Sequence, residues 1–250
     1  MTPQESHAHS LKTLNLLYDH DDFMDSIESV ADLGCGQGHD VMWWATLETR
    51  DDPPEPHNYK VYAVDKDLRR VTLRSSFPDN VVTLKGNYEK AILPTTVDLL
   101  WSHNSFQYTT NPLSTLKRWN SFLNEDGMLI IILPMQSYTE HNRILHTVHD
   151  RQFYNLNIVN MMYMLALNGF DCADGHFYKS LDPMDNWLHI AVYKSSQAPM
   201  DPFKTSIYEV AETGLLPECA VDTINKYGYL RQQNLMTTWI DGTLTDWMRV

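Results

Sequence analysis

At 250 residues, 43% of them apolar, the chain is long enough to bury a core as one domain. A formal charge of −13, with the basic residues scattered, argues against a nucleic-acid partner, since phosphate binding draws on clustered Lys and Arg. No apolar run approaches a membrane span, and Met1-Thr2-Pro3-Gln4-Glu5 has neither the basic start nor the apolar core of a secretory leader. Cys35, Cys172 and Cys219 are odd in number and far apart, which predicts a cytoplasmic protein without disulfides or a membrane partner.

Residues 1–29 are polar at first. Leu11, Leu14, Leu17 and Tyr18 then recur at helical spacing, until Asp19-His20-Asp21-Asp22 interrupts the pattern before Phe23, Met24 and Ile27. The segment reads as a helical cap over a sheet edge. His7 and His9 lack a second ligand pair and read as a solvated tail rather than a zinc site.

Val30-Ala31-Asp32-Leu33-Gly34-Cys35-Gly36-Gln37-Gly38-His39-Asp40 follows: an apolar strand, an acid near its end, and three glycines at alternate positions. Glycine suits such a turn because it tolerates positive φ and lets a ligand approach the backbone. A helical pattern continues through Val41, Met42, Trp43, Trp44, Ala45 and Leu47. Strand, glycine turn and helix open a doubly wound α/β sheet, whose ligand sits at the carboxyl ends of the strands. The dinucleotide fingerprint G-x-G-x-x-G is not met, because His39 occupies the place of its third glycine.

The proline-rich loop 51–58 ends the first unit. Lys60 to Val64 reads as the second strand, closing on Asp65. A carboxylate there can accept from both hydroxyls of a ribose; the alternative is a helix cap, because Asp67 and a helical run to Phe77 follow. Val81 to Lys85 is the third strand, followed by Gly86-Asn87-Tyr88, and Val97 to Trp101 the fourth, continuing as Ser102-His103-Asn104-Ser105-Phe106-Gln107-Tyr108. Pro112 to Leu123 reads as a helix with Leu113, Leu116, Trp119 and Phe122 on one face, and Asn124-Glu125-Asp126-Gly127 as the turn into a buried strand, Met128 to Leu133.

Tyr138, Glu140, His141, Arg143, His146 and His149 read as a solvated connection at a substrate mouth; no metal site is expected. Ile158 to Leu167 is a Met-rich apolar helix, closed by Asn168 or Gly169. Two last strands, about Asp171–Tyr178 and Trp187–Tyr193, end the unit near Lys194, with 195–199 as linker. The tail from Met200 to Val250 is too apolar for disorder. It predicts a helical extension that packs on the domain or makes an oligomer contact.

The run Asp32-Leu33-Gly34-Cys35-Gly36-Gln37-Gly38, with Asp65 at the next strand end, resembles the first motif of class I S-adenosylmethionine-dependent methyltransferases. Ser102, Ser105, Phe106, Gln107 and Tyr108 resemble the strand-four segment of a small-molecule group that includes trans-aconitate and malonyl-carrier-protein methyltransferases; His103 and Asn104 depart from it. The resemblance implies a Rossmann-like, seven-stranded, mostly parallel sheet over 30–194, with 1–29 as a cap closing over the site and 200–250 as the extension. It implies S-adenosylmethionine as cofactor, held by Asp32, Gly34, Cys35, Gly36, Gly38, Asp65, Lys66, Asn87, Tyr88, Ser102 and His103. Asn87 stands where the family usually has an aspartate. His103 and Tyr108 are the catalytic candidates, His103 as a base or as a donor that orients a carboxylate. The implied reaction is O-methylation of a small molecule, at a carboxylate or a hydroxyl. The alternatives are a protein methyltransferase or docking subunit, an inactive cofactor-binding scaffold, and a homodimer made through the tail.

Overall fold

The computed structural model describes residues 26–49, 53–134, 156–179 and 187–230, together with Ser10, Leu11, Thr13, Leu14, Met24 and Tyr154. A seven-stranded sheet in the order β3-β2-β1-β4-β5-β7-β6 forms its centre. The strands are β1 (Ser29–Leu33), β2 (Lys60–Asp65), β3 (Val81–Lys85), β4 (Val97–His103), β5 (Leu123–Pro134), β6 (Phe170–Lys179) and β7 (Trp187–Lys194). All neighbours pair in parallel except β7, which runs antiparallel to both β5 and β6. This is the mostly parallel doubly wound architecture that the glycine turn implies.

Side chains alternate across the sheet, so each central strand feeds two cores, and this is why β2, β4 and β5 read as unbroken apolar runs. On one face Val30, Val61, Ala63, Leu99, Trp101, Ile130 and Ile132 pack against helix α1 (His39–Ala45) and the N-terminal residues Leu14 and Met24. On the other, Ala31, Leu33, Val64, Leu100, Leu129 and Ile131 meet α2 (Pro112–Asn120) and α3 (Ile158–Leu167). The helix starts are written locally. Asn111 accepts from Ser114 N at 3.0 Å behind Pro112, and Asn157 makes a reciprocal capping box with Asn160.

The extension contributes α4 (Ile207–Glu212), capped by Ser206 and Glu209, and α5 (Glu218–Tyr227). Val210, Leu215, Leu216, Ala220 and Ile224 are buried in the same cluster as α3 and β6. Between the two helices the Leu215 carbonyl accepts from Cys172 N of β6 at 2.9 Å.

Three local expectations change. Residues 67–77 form turns and one short 3-10 turn, Arg74–Ser76, rather than a helix. Asp67 accepts from its neighbour Arg69 through both the backbone N–H (3.2 Å) and the guanidinium (2.8 and 2.9 Å), which holds its carboxyl down at about 2. The Leu73 N–H goes to Gln37 O (3.2 Å) instead of to the preceding turn. The helix from Pro112 stops at Asn120, and β5 starts at Leu123, because Leu123 pairs with Val97 before the register shifts to Leu99↔Met128. Within that shift Asp126 takes φ 62°, so the expected turn is a bulge inside the strand.

Because Ile224 is fully buried against the main core, Ile224→Ala is expected to cost about 2–5 kcal/mol. Urea unfolding followed by far-UV dichroism checks this; an unchanged midpoint would show that α5 stands outside the cooperative unit.

Candidate active site

β1 and β4 lie side by side (Asp32↔Trp101), and the chain leaves them toward opposite halves of the sheet, which opens a crevice at their carboxyl ends. The turn after β1 is clamped there. Gly34 N and Cys35 N both donate to the Val64 carbonyl of β2, at 2.8 and 3.0 Å. Gly34 has φ +91°, and a Cβ on it would stand 2.6 Å from the Ser105 Cβ. Around Gly36, by contrast, a Cβ would meet no described residue closer than 4.0 Å.

Asp65 ties the next strand end to this turn. One of its oxygens accepts from Gly36 N (3.1 Å) and the other from Asp67 N (2.8 Å), which leaves each oxygen a second lone pair for a ligand hydroxyl. Lys66 beside it is exposed. Asp32 differs. It is 3% exposed, and no described residue donates a hydrogen bond to its carboxylate. Burial, reinforced by the negative charges of Asp40 and Asp65, pushes its carboxyl well above the usual range. The same burial, with Asp32 and Asp65 adding to it, pushes the Cys35 thiol far up, so this cysteine stays protonated and is no nucleophile.

From β4, Ser102 is fully buried and shares a 2.8 Å hydrogen bond with the Ser105 hydroxyl. Ser105 Oγ spends its own proton on the Leu33 carbonyl (2.6 Å), so Ser102 is the donor in that pair. Tyr88 donates its hydroxyl to Ser105 O (2.8 Å), and burial raises its phenol, which keeps it a donor. The Asn87 Oδ1 accepts from Glu89 N at 3.0 Å, so the amide oxygen expected to meet a nucleobase already holds a local turn.

The two catalytic candidates occupy different surroundings. Tyr108 is 40% exposed and close enough to Tyr88 to contribute to raising its phenol. The His103 side chain is 6% exposed; its Nδ1 lies 3.6 Å from Asp40 Oδ2, and its ring centre 5.4 Å from that of Trp187. Asp40 in turn accepts from Ser10 Oγ (2.6 Å) and Trp101 Nε1 (3.0 Å). The sequence reading gave Asp40 no role. An acid in a first helical turn looks like a response to the helix dipole, and only the fold brings it to β4. Tyr18, Tyr138, His141, His146 and His149 lie outside the described residues. Among the described residues no group of three His, Cys, Asp or Glu side chains could hold a metal ion, and no helix is long and apolar enough to cross a membrane.

A family model described as a methyltransferase domain matches residues 31–131, which run from β1 through the middle of β5. Among solved structures, a candidate S-adenosylmethionine-dependent methyltransferase from Listeria monocytogenes is 19% identical, covering 77% of this chain and 100% of its own, with a TM-score of 0.54. A phosphoethanolamine N-methyltransferase from Haemonchus contortus, solved with phosphomonomethylethanolamine and S-adenosylhomocysteine, is 14% identical, covering 74% of this chain and 52% of its own, at 0.58. A complex of the Haloferax volcanii Trm112 methyltransferase activator with a candidate methyltransferase matches at 14% identity, covering 72% of this chain and 91% of the matched one, at 0.53. No curated protein sequence matches the chain. The chain thus has the Rossmann-like class I methyltransferase fold, and the cofactor implied by this fold and domain is S-adenosylmethionine.

Because the folded state raises the Asp32 carboxyl, it binds a proton that the unfolded chain has already released. Stability from this group is therefore lost as pH rises from the ordinary carboxylate range toward the raised value. Asp32→Asn is expected to match wild type in acid and to exceed it increasingly toward neutral pH, read as thermal midpoints across that range. A difference that does not vary with pH would show that Asp32 ionises normally.

Proposed function

We propose that the protein is an S-adenosylmethionine-dependent methyltransferase that methylates an oxygen of a small molecule. The observation that carries this reading is the buried Asp32 carboxylate, to which no described residue donates, between the backbone of Gly36 and Asp65, whose oxygens can accept from a ribose. An ammonium group satisfies such a carboxylate, and a pyrophosphate would be repelled by it and by Asp40 and Asp65. The residues present therefore fit a cationic nucleoside better than a dinucleotide. When bound, S-adenosylmethionine supplies a methyl group that its sulfonium makes electrophilic.

In this reading Asp32 meets the ammonium, and the backbone of Gly34, Cys35, Gly36 and Gly38 lines the amino-acid portion. Asp65, next to Lys66, takes the ribose hydroxyls. Asn87 and Tyr88 border the base, and the backbone at Ser102 and His103 closes the far end. His103, at the end of β4, and Tyr108, in the turn that follows it, face the acceptor in this reading. Residues 30–194 are then the cofactor-binding unit, 1–29 a cap and 200–250 an extension, whose described helices pack on the unit. Holding two reactants in line is itself worth much of the barrier, which is why no fixed triad is needed.

Calorimetry with S-adenosylhomocysteine tests the reading. Wild type is expected to bind with a dissociation constant on the order of micromolar, and Asp65→Ala to lose at least about tenfold through its broken ribose contacts. Equal affinity in the two proteins removes the ribose role of Asp65; tight nicotinamide dinucleotide binding in place of the homocysteine nucleoside overturns the function.

A further inference from the structure

We propose that Asp40 and His103 form a proton-accepting dyad at the end of β4, with His103 Nε2 as the atom that takes a proton and Asp40 as its positioning residue. The acceptor is then a neutral hydroxyl-bearing molecule rather than a carboxylate. The inference rests on the methyltransferase reading above, and narrows its substrate class.

The geometry starts from Asp40. Its carboxylate is fixed by donors from two directions, Ser10 Oγ at 2.6 Å on one oxygen and Trp101 Nε1 at 3.0 Å on the other. That second oxygen is also the one 3.6 Å from His103 Nδ1. A carboxylate can only accept, so the imidazole nitrogen that faces it is the protonated one, and the lone pair falls on Nε2. The separation is that of an ion pair rather than a formed hydrogen bond. Base–orienter contacts of this kind tighten when reactants are in place. Trp187, its ring plane tilted 32° from the imidazole, limits the angles the ring can adopt.

Charge decides the acceptor class. Among the described residues, the titratable groups toward His103 include Asp40 on α1, Asp32 on β1 in the row beside Trp101, and His189 on β7, in the same row as His103 beyond Ile132. Asp32, Asp40 and Asp65 are near enough to one another to raise Asp32. A carboxylate acceptor would add its charge beside the buried Asp40, while a neutral acceptor enters without that repulsion and needs its proton removed. The proton balance is simple. The acceptor's O–H bond breaks and its proton goes to Nε2. The electron pair left on the acceptor atom forms the new bond to the methyl carbon as the carbon–sulfur bond breaks, its electrons leaving with sulfur. Imidazolium, with Nδ1–H still facing Asp40, is the charged product on the protein side.

Long-range proton–nitrogen NMR of protein carrying labelled histidine reads the tautomer directly. Wild type is expected to show His103 protonated at Nδ1 when neutral. In Asp40→Asn the tautomer is expected to be mixed or reversed, and the pH at which the ring takes its second proton to fall by roughly 1 to 3, with Asp40→Glu restoring part of the change. A role confined to packing would leave the tautomer unmoved in Asp40→Asn. Wild type with neutral His103 protonated at Nε2 overturns the dyad even if no variant folds. Calorimetry of wild type with S-adenosylhomocysteine separates the two claims. Binding together with the wrong tautomer removes the dyad and leaves the methyltransferase, whereas absence of binding removes the methyltransferase reading and the acceptor class with it.

Discussion

The Val64 carbonyl, accepting at once from Gly34 N and Cys35 N, is the contact on which the site depends. It fastens the turn after β1 to the end of β2, so the chain folds away from the crevice instead of across it. The Ser105 hydroxyl does the corresponding work from β4 by donating to Leu33 O, and Tyr88 holds Ser105 from behind. Each bond is worth only about 1 kcal/mol net. Their effect is geometric: three loops from three strands become one hydrogen-bonded surface, and a side chain at position 34 would collide with Ser105 and part them.

That surface carries an unbalanced charge. Asp65 has two backbone donors and Asp40 has two side-chain donors, but Asp32 has none among the described residues. A buried carboxylate without a partner destabilises the fold when ionised, and a chain that keeps one gains from a cation arriving from solution. The cost in stability and the selectivity for a positively charged ligand are therefore the same quantity seen from two sides. The inert Cys35 thiol follows from the same field.

What the sequence discloses is whatever is decided within a few residues. β3 and α3 have the bounds their apolar patterns predict, and the turn with Gly34, Gly36 and Gly38 at positive φ is legible because it is contiguous. The helix expected over 67–77 fails for the opposite reason: Asp67 can bond its own neighbour, and the Leu73 N–H finds Gln37 across the loop, neither of which periodicity reports. Asn87 was legible by place but not by occupation, since its amide oxygen is engaged with Glu89 N. Asp40 was illegible altogether. Its partners Trp101 and His103 lie on β4, and only the pairing of β1 with β4 brings them under α1. The tail's apolar positions foretold helices but not their partner, which the bond between Cys172 N and Leu215 O identifies as the edge of the sheet beside α3.

The N-terminal residues show why that buried polar group is more than packing. Leu14 and Met24 supply apolar contact on the α1 face, yet the bonds that fix the register are polar: Ser10 Oγ to Asp40, Thr13 Oγ1 with His189 Nδ1, and Tyr59 OH to Met24 O. Apolar contact alone tolerates sliding, because its energy depends on area rather than direction. A slide by one residue would strip donors from Asp40 and His189 in a dry environment and cost far more than the bonds contribute when made. Ser10 and Thr13 are thereby held beside Asp40 and His189. The Asp40 carboxylate that faces the imidazole is also the acceptor of Ser10, so a change of charge on the imidazole would reach Ser10 through Asp40.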